Sequence, residues 1–127
     1  MPRKKMYAKA GRGGHILDVV VFRLGPQHFG IPVAHVGQVV PVSEIGPLPD
    51  APAPVRGAVD VHGEVMPVID LAYGTAQTWT VLNAEQQFIL VEGPRRMVLL
   101  ADEVEGVRNV PDGTYPDGLI YVEDVLT

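Results

Sequence analysis

Side chains that could perform catalysis or hold a metal ion are few in this sequence, and their spacing suits neither task. Ser43 is the only serine, and it lies among prolines without the Gly-x-Ser-x-Gly motif that presents a nucleophilic serine. The four histidines show neither of the zinc-binding spacings His-x-x-x-His and His-Glu-x-x-His. The chain has no cysteine, which excludes disulfides and thiolate chemistry. The sequence therefore supports neither a hydrolase nor a metal centre, and it predicts no cofactor.

The acidic cluster of Asp102, Glu103 and Glu105 is the remaining candidate for a cation site. Acids spaced in this way more often form a solvated turn, which is our interpretation; cation binding is the alternative. The glycine-rich residues 11–14 lack the third glycine and the preceding strand of a dinucleotide-binding fingerprint, and no Walker lysine is present. Residue chemistry alone thus predicts a module that binds another protein and is not an enzyme.

Charge is distributed unevenly along the chain. Residues 1–14 carry five basic side chains and no acid, whereas residues 15–127 carry five arginines and all fifteen acids, a net charge of −10. An acidic body repels nucleic acid phosphates, so no nucleic-acid partner is expected. We interpret residues 1–14 as a basic, flexible tail and residues 15–127 as one folded domain. A tail that contacts an anionic membrane or an acidic partner is the alternative.

Composition also predicts the compartment. A chain without cysteine fits a reducing cytoplasm, and no apolar run approaches the ~20 residues of a membrane span. The basic N-terminus is not followed by the apolar core of a signal peptide. We therefore expect a cytoplasmic protein that does not insert directly into a membrane.

The elements that would position binding residues are predicted to be strands. Valine is abundant and fits a pleated surface better than a helix, while 14 glycines and 12 prolines divide the chain into short pieces. The sequence therefore predicts an all-β fold with little helix. Strands are expected at residues 16–24, 29–33, 88–92, 97–101, 104–110 and 119–126, a proline-rich loop at 41–54, and a linker at 73–85.

The stretch VRGAVDVHGEVMPVIDL, residues 55–71, is predicted to contain a β-hairpin. Gly63 and Glu64 suit a tight two-residue turn with glycine at its first central position. That register places Val65, Pro67, Ile69 and Leu71 on one face of the second strand. Gly57, just before the first strand, is expected to lack a side chain for a backbone or packing reason.

Taken in order, the motifs of this chain resemble those of CheW-like domains. The central pattern reads Gly57-Ala-Val-Asp-Val-His-Gly63, followed by Pro67-Val-Ile-Asp-Leu71. Upstream, the stretches that resemble the family's first hairpin and proline loop are Phe22-Arg-Leu-Gly25, Phe29-Gly-Ile31 and Leu48-Pro-Asp-Ala-Pro52. Downstream, those that resemble its later strands are Met97-Val-Leu-Leu-Ala-Asp102 and Tyr115-Pro-Asp-Gly-Leu-Ile-Tyr-Val-Glu-Asp124. The resemblance covers about residues 17–126.

The resemblance implies two small, intertwined SH3-like β-barrels around a shared apolar core, with no catalytic activity. Family members couple the cytoplasmic tip of chemoreceptors to the histidine kinase CheA, whose regulatory domain is itself CheW-like. Matched by position, the kinase-facing residues are Val36, Val39, Ile45 and Gly57. The receptor-facing residues are Asp60, His62, Phe88, Val98, Val104 and Val107. A purely structural role is the alternative for the whole kinase-facing set and for two of the receptor-facing residues, Phe88 and Val104.

Three departures from the family pattern bear on receptor coupling. Asp60 and His62 replace the usual asparagine and arginine, and histidine is mostly neutral near pH 7 whereas arginine is a fixed cation. Val98 replaces a glycine and is expected to crowd the receptor groove. The interval between Val110 and Tyr115 is shorter than usual, so the second barrel is predicted to lack a strand and to leave an exposed edge.

Three functions remain open on these grounds. The first is an adaptor between receptor and kinase in bacterial chemotaxis or motility signalling. The second is a divergent CheW-like scaffold subunit that has lost receptor coupling and acts in another signalling assembly. The third is a small enzyme or a metal-binding barrel, and a metal that binds only the folded state would reveal itself by raising stability.

Overall fold

The computed structural model describes residues 16–76, 78–93, 95–111 and 118–122. These residues form nine strands: β1 (Ile16–Leu24), β2 (Gln27–Pro32), β3 (Val36–Pro41), β4 (Val55–Val61), β5 (Glu64–Ile69), β6 (Gln87–Val91), β7 (Met97–Ala101), β8 (Glu103–Pro111) and β9 (Leu119–Tyr121). A 3-10 turn at Val33–His35 precedes β3, and one short helix, α1 (Leu71–Ala76), follows β5. The predicted all-β fold is confirmed.

The first sheet joins the two ends of the described chain. Its order is β8-β1-β2-β9, so the hairpin of β1 and β2 is flanked on both sides by C-terminal strands. β1 pairs antiparallel with β2 and with β8, whereas β9 runs parallel to β2. Phe22 on β1 lies opposite Phe29 on β2, and their rings stack with centroids 5.5 Å apart. The early and late parts of the sequence are therefore intertwined.

The second sheet is closed by the segment that follows β3. Its order is β3-β6-β7-β5-β4, which leaves β3 and β4 at opposite edges. The Val42 amide donates to the Gln86 carbonyl (3.1 Å), which continues the pairing of β3 with β6. Gly46 then exchanges two backbone hydrogen bonds with Ala58 on β4, at 2.8 and 3.0 Å. One segment thus links both edges and closes a five-stranded barrel.

Side-chain alternation along β1 supplies two separate cores. Val20, Phe22 and Leu24 belong to the main core, which contains residues of both sheets. Val19 and Val21 belong to a smaller cluster that Val110 completes. Because side chains alternate between the faces of a strand, a strand buried on both faces is apolar at most positions, which explains the valine run in β1.

The central hairpin turns one residue earlier than the sequence suggested. β4 ends at Val61 and β5 begins at Glu64, so the loop is His62-Gly63 and not Gly63-Glu64. Both loop residues have positive φ, 54° and 88°, which is characteristic of a type I′ turn. The predicted hairpin is confirmed, but the type and position of its turn were wrong.

The turn sets the cross-strand partners of β5, so that Val65 lies opposite Asp60 and Met66 lies opposite Val59. Met66 and Val68 are buried in the main core. Val65 is 69% exposed, whereas Ile69 and Leu71 are buried. The face predicted for Val65, Pro67, Ile69 and Leu71 is therefore exposed at its start and buried towards its end.

The predicted linker at residues 73–85 overlaps α1. The helix begins after Asp70, whose Oδ1 accepts a hydrogen bond from the Ala72 amide (3.1 Å), as an N-cap aspartate does. After α1, the described residues 78–86 form no strand or helix before β6 begins. The linker prediction holds for these residues and fails for the helical ones.

The first sheet has four strands in the described part of the chain, one fewer than the second. The interval predicted to have lost a strand falls largely on residues 112–117, outside the described residues, so that loss stays a prediction. β8 forms one edge of the sheet, and it carries a bulge, since Val21 pairs with Gly106 but Phe22 with Val104. It ends at Pro111. Bulges and prolines are devices that protect edge strands from unwanted pairing.

The structure describes only part of the two terminal segments for which the sequence makes predictions. β9 ends at Tyr121 and Val122 has helical backbone, so the strand predicted at 119–126 is shorter than expected. The predicted basic tail at residues 1–14 lies outside the described residues.

Candidate functional site

Two of the predicted kinase-facing residues lie on the exposed edge strand β3. Val36 is half-buried and Val39 is 36% exposed. Gly37 is the extra residue of a bulge in this strand, and the Glu92 side chain occupies the space that a β-carbon there would need. Arg96 pairs with Glu92 at 3.3 Å. The rim of this edge is thus formed by Val39, whereas Val36 packs against the main core.

The other two predicted kinase-facing residues contact each other. The chain crosses β4 at Ile45 and Gly46, directly over Gly57. A β-carbon on Gly57 would lie 2.3 Å from the Gly46 carbonyl oxygen and 2.6 Å from Ile45 Cγ2. Gly57 is buried and Ile45 is half-buried. Gly57 therefore shapes this surface from beneath, and Ile45 is the residue that a partner can touch.

The tip of the β4–β5 hairpin carries two predicted receptor-facing residues. Asp60 Oδ1 accepts a hydrogen bond from the Gly63 amide (2.8 Å), which braces the turn. His62 adopts the left-handed backbone conformation, which histidine tolerates better than most residues. Both side chains are exposed, so the tip is accessible to a partner.

Two further receptor-facing residues lie on the other sheet, where the main core meets solvent. Val104 and Val107 on β8 are opposite Phe22 and Val20 of β1. Val104 packs against the main core, and Val107 is 60% exposed. The structure therefore separates the predicted receptor surface into a hairpin tip and a border of the first sheet.

Phe88 and Val98, by contrast, are core residues that are 1% and 0% exposed. Their side chains are therefore inaccessible to a receptor in this structure. They can affect a receptor contact only indirectly, through the positions of the strands β6 and β7 on which they lie. Val98 fills the interior beside β5, opposite Val68, and does not protrude into a groove. The expectation of crowding by Val98 is thus corrected to a packing role.

A buried charged centre beside β4 is the main feature that the sequence did not reveal. Asp70 is fully buried and pairs with Arg56, with 2.9 Å between Oδ2 and Nη1. The Thr80 amide donates to Asp70 Oδ2 (2.7 Å), and the Thr80 hydroxyl donates to Oδ1 (2.8 Å). Arg56 also donates to the Thr80 carbonyl (2.6 Å). Burial of a carboxylate is tolerable here because both of its oxygens accept hydrogen bonds.

A bulge in β4 aims Arg56 at this centre. Val55 pairs with Ile69 and Gly57 pairs with Val68, so Arg56 is the extra residue on its strand. Bulges bend the backbone locally and redirect a side chain, and they are over-represented near functional sites. The bulge therefore explains how a residue of a regular strand reaches Asp70.

An aromatic stack covers the charged centre. The Tyr73 and Trp79 rings are stacked with centroids 4.3 Å apart, and Arg56 Cζ lies 5.4 Å from the Trp79 ring centroid. A guanidinium at this distance is attracted by the face of the indole ring. Trp79 is still 40% exposed, and Val81 and Leu82 next to it are 84% and 43% exposed. The segment that the centre holds in place thus shows three large apolar side chains to solvent.

The acidic cluster at residues 102–105 has structural partners. Asp102 accepts hydrogen bonds from the Gly25 amide and from Gln86 Nε2, both at 2.8 Å, which ties the β1–β2 turn to the chain entering β6. Glu105 lies 3.2 Å from His28. Within the described ranges, no three His, Asp or Glu side chains are grouped so that they could hold a metal ion. Only Asp102 lies in a bend, and Glu103 and Glu105 lie on β8, so the prediction of a turn is wrong for the two glutamates.

Comparison with known proteins agrees with this architecture. Residues 18–117 match the family model of the CheW-like domain. The chain is 38% identical over 122 residues to the chemotaxis protein CheW of Treponema pallidum, a match that covers 86% of this chain and 72% of that protein. It is 28% identical over 106 residues to protein PilI of Pseudomonas aeruginosa, covering 83% of this chain and 60% of PilI. It is 31% identical over 91 residues to protein FrzA of Myxococcus xanthus, covering 71% and 57%.

A solved structure is also similar. The crystal structure of the scaffolding protein TtCheW from Thermoanaerobacter tengcongensis matches with a TM-score of 0.67 at 26% identity, covering 76% of this chain and 66% of that one. The matched part of the chain spans less than two thirds of the length of PilI and of FrzA. In the part of the chain that the structure describes, no helix is long and apolar enough to cross a membrane.

Proposed function

The chain belongs to the family of CheW-like domains, and from this premise we propose that it is a non-catalytic adaptor that couples chemoreceptors to a CheA-type histidine kinase. Its partners are the CheW-like regulatory domain of the kinase and the cytoplasmic tip of the receptor. A cytoplasmic location goes with these partners. Relatives named chemotaxis protein CheW, PilI and FrzA support a role in chemotaxis-type signalling.

The surface around β3 of the five-stranded barrel is the feature that best supports the kinase contact. Val39 is exposed on the rim of β3, Val36 packs half-buried against the main core, and Ile45 is accessible where the chain closes the barrel over Gly57. Small apolar side chains on a rigid barrel suit a contact with a second barrel, because little conformational entropy is lost on binding. The CheW-like regulatory domain of the kinase offers such a barrel.

Binding of the kinase regulatory domain is expected to depend on Val39. Val39→Glu places a charge on the exposed rim and is expected to weaken binding about tenfold or more, since a carboxylate buried at an interface without a partner is costly. Isothermal titration calorimetry with the regulatory domain of a CheA-type kinase measures the dissociation constant. Val65→Glu, at a valine that is 69% exposed on β5, is the matched control and should bind like the wild type.

The calorimetric result discriminates between the parts of the proposal. Equal binding by the wild type and both variants would contradict the placement of the kinase contact on β3. A well-folded wild type that does not bind the regulatory domain at all would contradict the adaptor function.

The second candidate is a divergent scaffold that has lost receptor coupling, and the hairpin tip favours it. Asp60 and His62 stand where the family carries asparagine and arginine. Asp60 is engaged with the turn itself, through Gly63. The exposed tip therefore carries an acid and a weakly basic ring in place of a fixed cation.

Restoring arginine at the tip is expected to strengthen receptor coupling. In reconstituted receptor arrays, His62→Arg should raise receptor-dependent kinase activation several-fold over the wild type, because arginine is charged at every physiological pH. His28→Arg, at a histidine on β2 that pairs with Glu105, is the control and should leave activation unchanged. No difference between the wild type and His62→Arg would remove the tip from the receptor contact.

A further inference from the structure

We propose that Trp79, Val81 and Leu82 form an apolar docking patch for the regulatory domain of the kinase, beyond the residues matched from the family. This inference rests on the proposed adaptor function. The three residues lie in the segment between α1 and β6 that was expected to be only a linker. We call them the linker patch.

The linker patch is apolar and exposed over a short stretch. Val81 is 84% exposed, Leu82 is 43% exposed and Trp79 is 40% exposed. Single exposed apolar residues are normal on a protein surface, but several together indicate an interaction site. Exposure of three large apolar side chains within four residues therefore calls for a partner.

The segment is also held rigidly from both ends by buried side chains. Asp70, which is fully buried, binds the Thr80 amide and hydroxyl. Gln86, which is 2% exposed, donates to the Val81 carbonyl (3.0 Å) and accepts from the Asn83 amide (2.8 Å). A mere connector needs no such anchorage. Fixing apolar side chains before binding reduces the entropy that association must lose, as in preorganised binding sites.

The residue types beside the patch are those that dominate binding energy in protein interfaces. Trp79 stacks on Tyr73 and lies over Arg56. Tryptophan, tyrosine and arginine are enriched among interface residues whose truncation costs most. Arg56 is paired with Asp70, so the centre beneath the patch carries no net charge. The complementary surface is therefore apolar rather than basic or acidic.

The position of the linker patch selects the kinase over the receptor. Arg56, which contacts Trp79, lies at the start of β4, whereas Asp60 and the receptor-facing tip lie at its end. Arg56 directly precedes Gly57, on which Ile45 of the proposed kinase-facing set is packed. The linker patch thus adjoins the start of β4, next to the proposed kinase contact, whereas the receptor-facing tip is at the other end of this strand.

The test compares two serine substitutions at equally exposed valines. Val81→Ser removes part of the linker patch, and Val65→Ser is the matched control on β5. Because both side chains are largely in water, neither variant should alter thermal unfolding. The dissociation constant of the kinase regulatory domain, measured by calorimetry, is expected to rise about fivefold or more for Val81→Ser and to stay unchanged for Val65→Ser. Leu82→Ser should act in the same direction.

Each other outcome overturns a distinct statement. If the wild type binds the kinase domain and Val81→Ser binds it equally well, the linker patch is not a docking surface, and the adaptor function stands. If the wild type does not bind, the adaptor function fails and the inference fails with it. If Val81→Ser loses binding of the receptor tip alone, or breaks up a dimer of the wild type seen in sedimentation, the occupant is the receptor or a second copy and not the kinase.

Discussion

Gly57→Ala is expected to lower the free energy of unfolding by about 3 kcal/mol, the cost of forcing atoms into a packed interior where the neighbours cannot give way. The new methyl group would meet the Gly46 carbonyl oxygen at 2.3 Å and Ile45 Cγ2 at 2.6 Å. This carbonyl oxygen accepts a hydrogen bond from the Ala58 amide. The clash can therefore be relieved only if the segment that closes the barrel moves away from β4. Urea denaturation followed by circular dichroism measures the loss.

Gly93→Ala is the control for this prediction. Gly93 has no atom within 4 Å of the position of its β-carbon, so the substitution should change stability by no more than about 0.5 kcal/mol. Similar stabilities for the two variants would contradict this prediction, because they would mean that Ile45 and Gly46 can move away from β4 at little cost in free energy. Gly57→Asp would bury a carboxylate at the same place, so a loss of kinase binding in that variant would report damage to the fold and not the loss of a contact.

Asp70→Asn is expected to cost about 3 kcal/mol of stability, as when one partner of a buried ion pair is removed. Arg56 has a side chain that is only 21% exposed and would keep its charge without a counterion. An amide nitrogen would also replace one of two oxygens that accept hydrogen bonds from Thr80. The same denaturation experiment measures the effect, and the near-ultraviolet signal of Trp79, the only tryptophan, should report loosening of the linker patch.

Asp18→Asn supplies the matched comparison, because Asp18 accepts a hydrogen bond from Asn109 on the exposed surface. This substitution should change the free energy of unfolding by no more than about 0.5 kcal/mol. A double-mutant cycle with Arg56→Met isolates the pair: if the ion pair is the cause, the two losses should be clearly less than additive. Full additivity, or no loss in Asp70→Asn, would contradict the role of the centre.

The strands and hairpins of this protein are predictable because their signals are local. β-branched runs such as residues 19–21 and turn pairs such as Gly25-Pro26 act over a few residues, and the chain follows them. The order of the motifs also predicts the family, and with it an all-β fold of intertwined halves. What these signals do not contain is which strands become neighbours, as in the pairing of β1 with β8.

The turn of the central hairpin shows how a small ambiguity changes a surface. A glycine next to a polar residue fits a type II′ turn with glycine first or a type I′ turn with glycine second. Choosing between them for Gly63 requires knowing whether His62 adopts positive φ, which histidine tolerates but does not require. The choice of turn changes the cross-strand partner of Val65, which lies opposite Asp60.

The candidate surfaces were only partly predictable for a related reason. Exposure depends on what covers a residue, and alternation alone could not reveal that Phe88 and Val98 are buried while Val107 is not. The charged centre left a weak signal, an aspartate at the end of an apolar strand, which is typical of an N-cap. Its partners Arg56 and Thr80 lie 14 and 10 residues from Asp70 in sequence, and only the folded chain brings them together.

The shared first sheet has a consequence for synthesis on the ribosome. β1 and β2 leave the exit tunnel before β8, yet β1 pairs with β8, so that Ile16 lies opposite Pro111. Until β8 is made, one edge of the nascent β1 has unpaired backbone groups, and its valine side chains lack the residues that bury them. Contacts between segments so far apart form slowly, and exposed strand edges invite aggregation in the meantime. The first sheet is therefore completed only once β8 and β9 have been made, so its four strands cannot assemble in the order of the sequence.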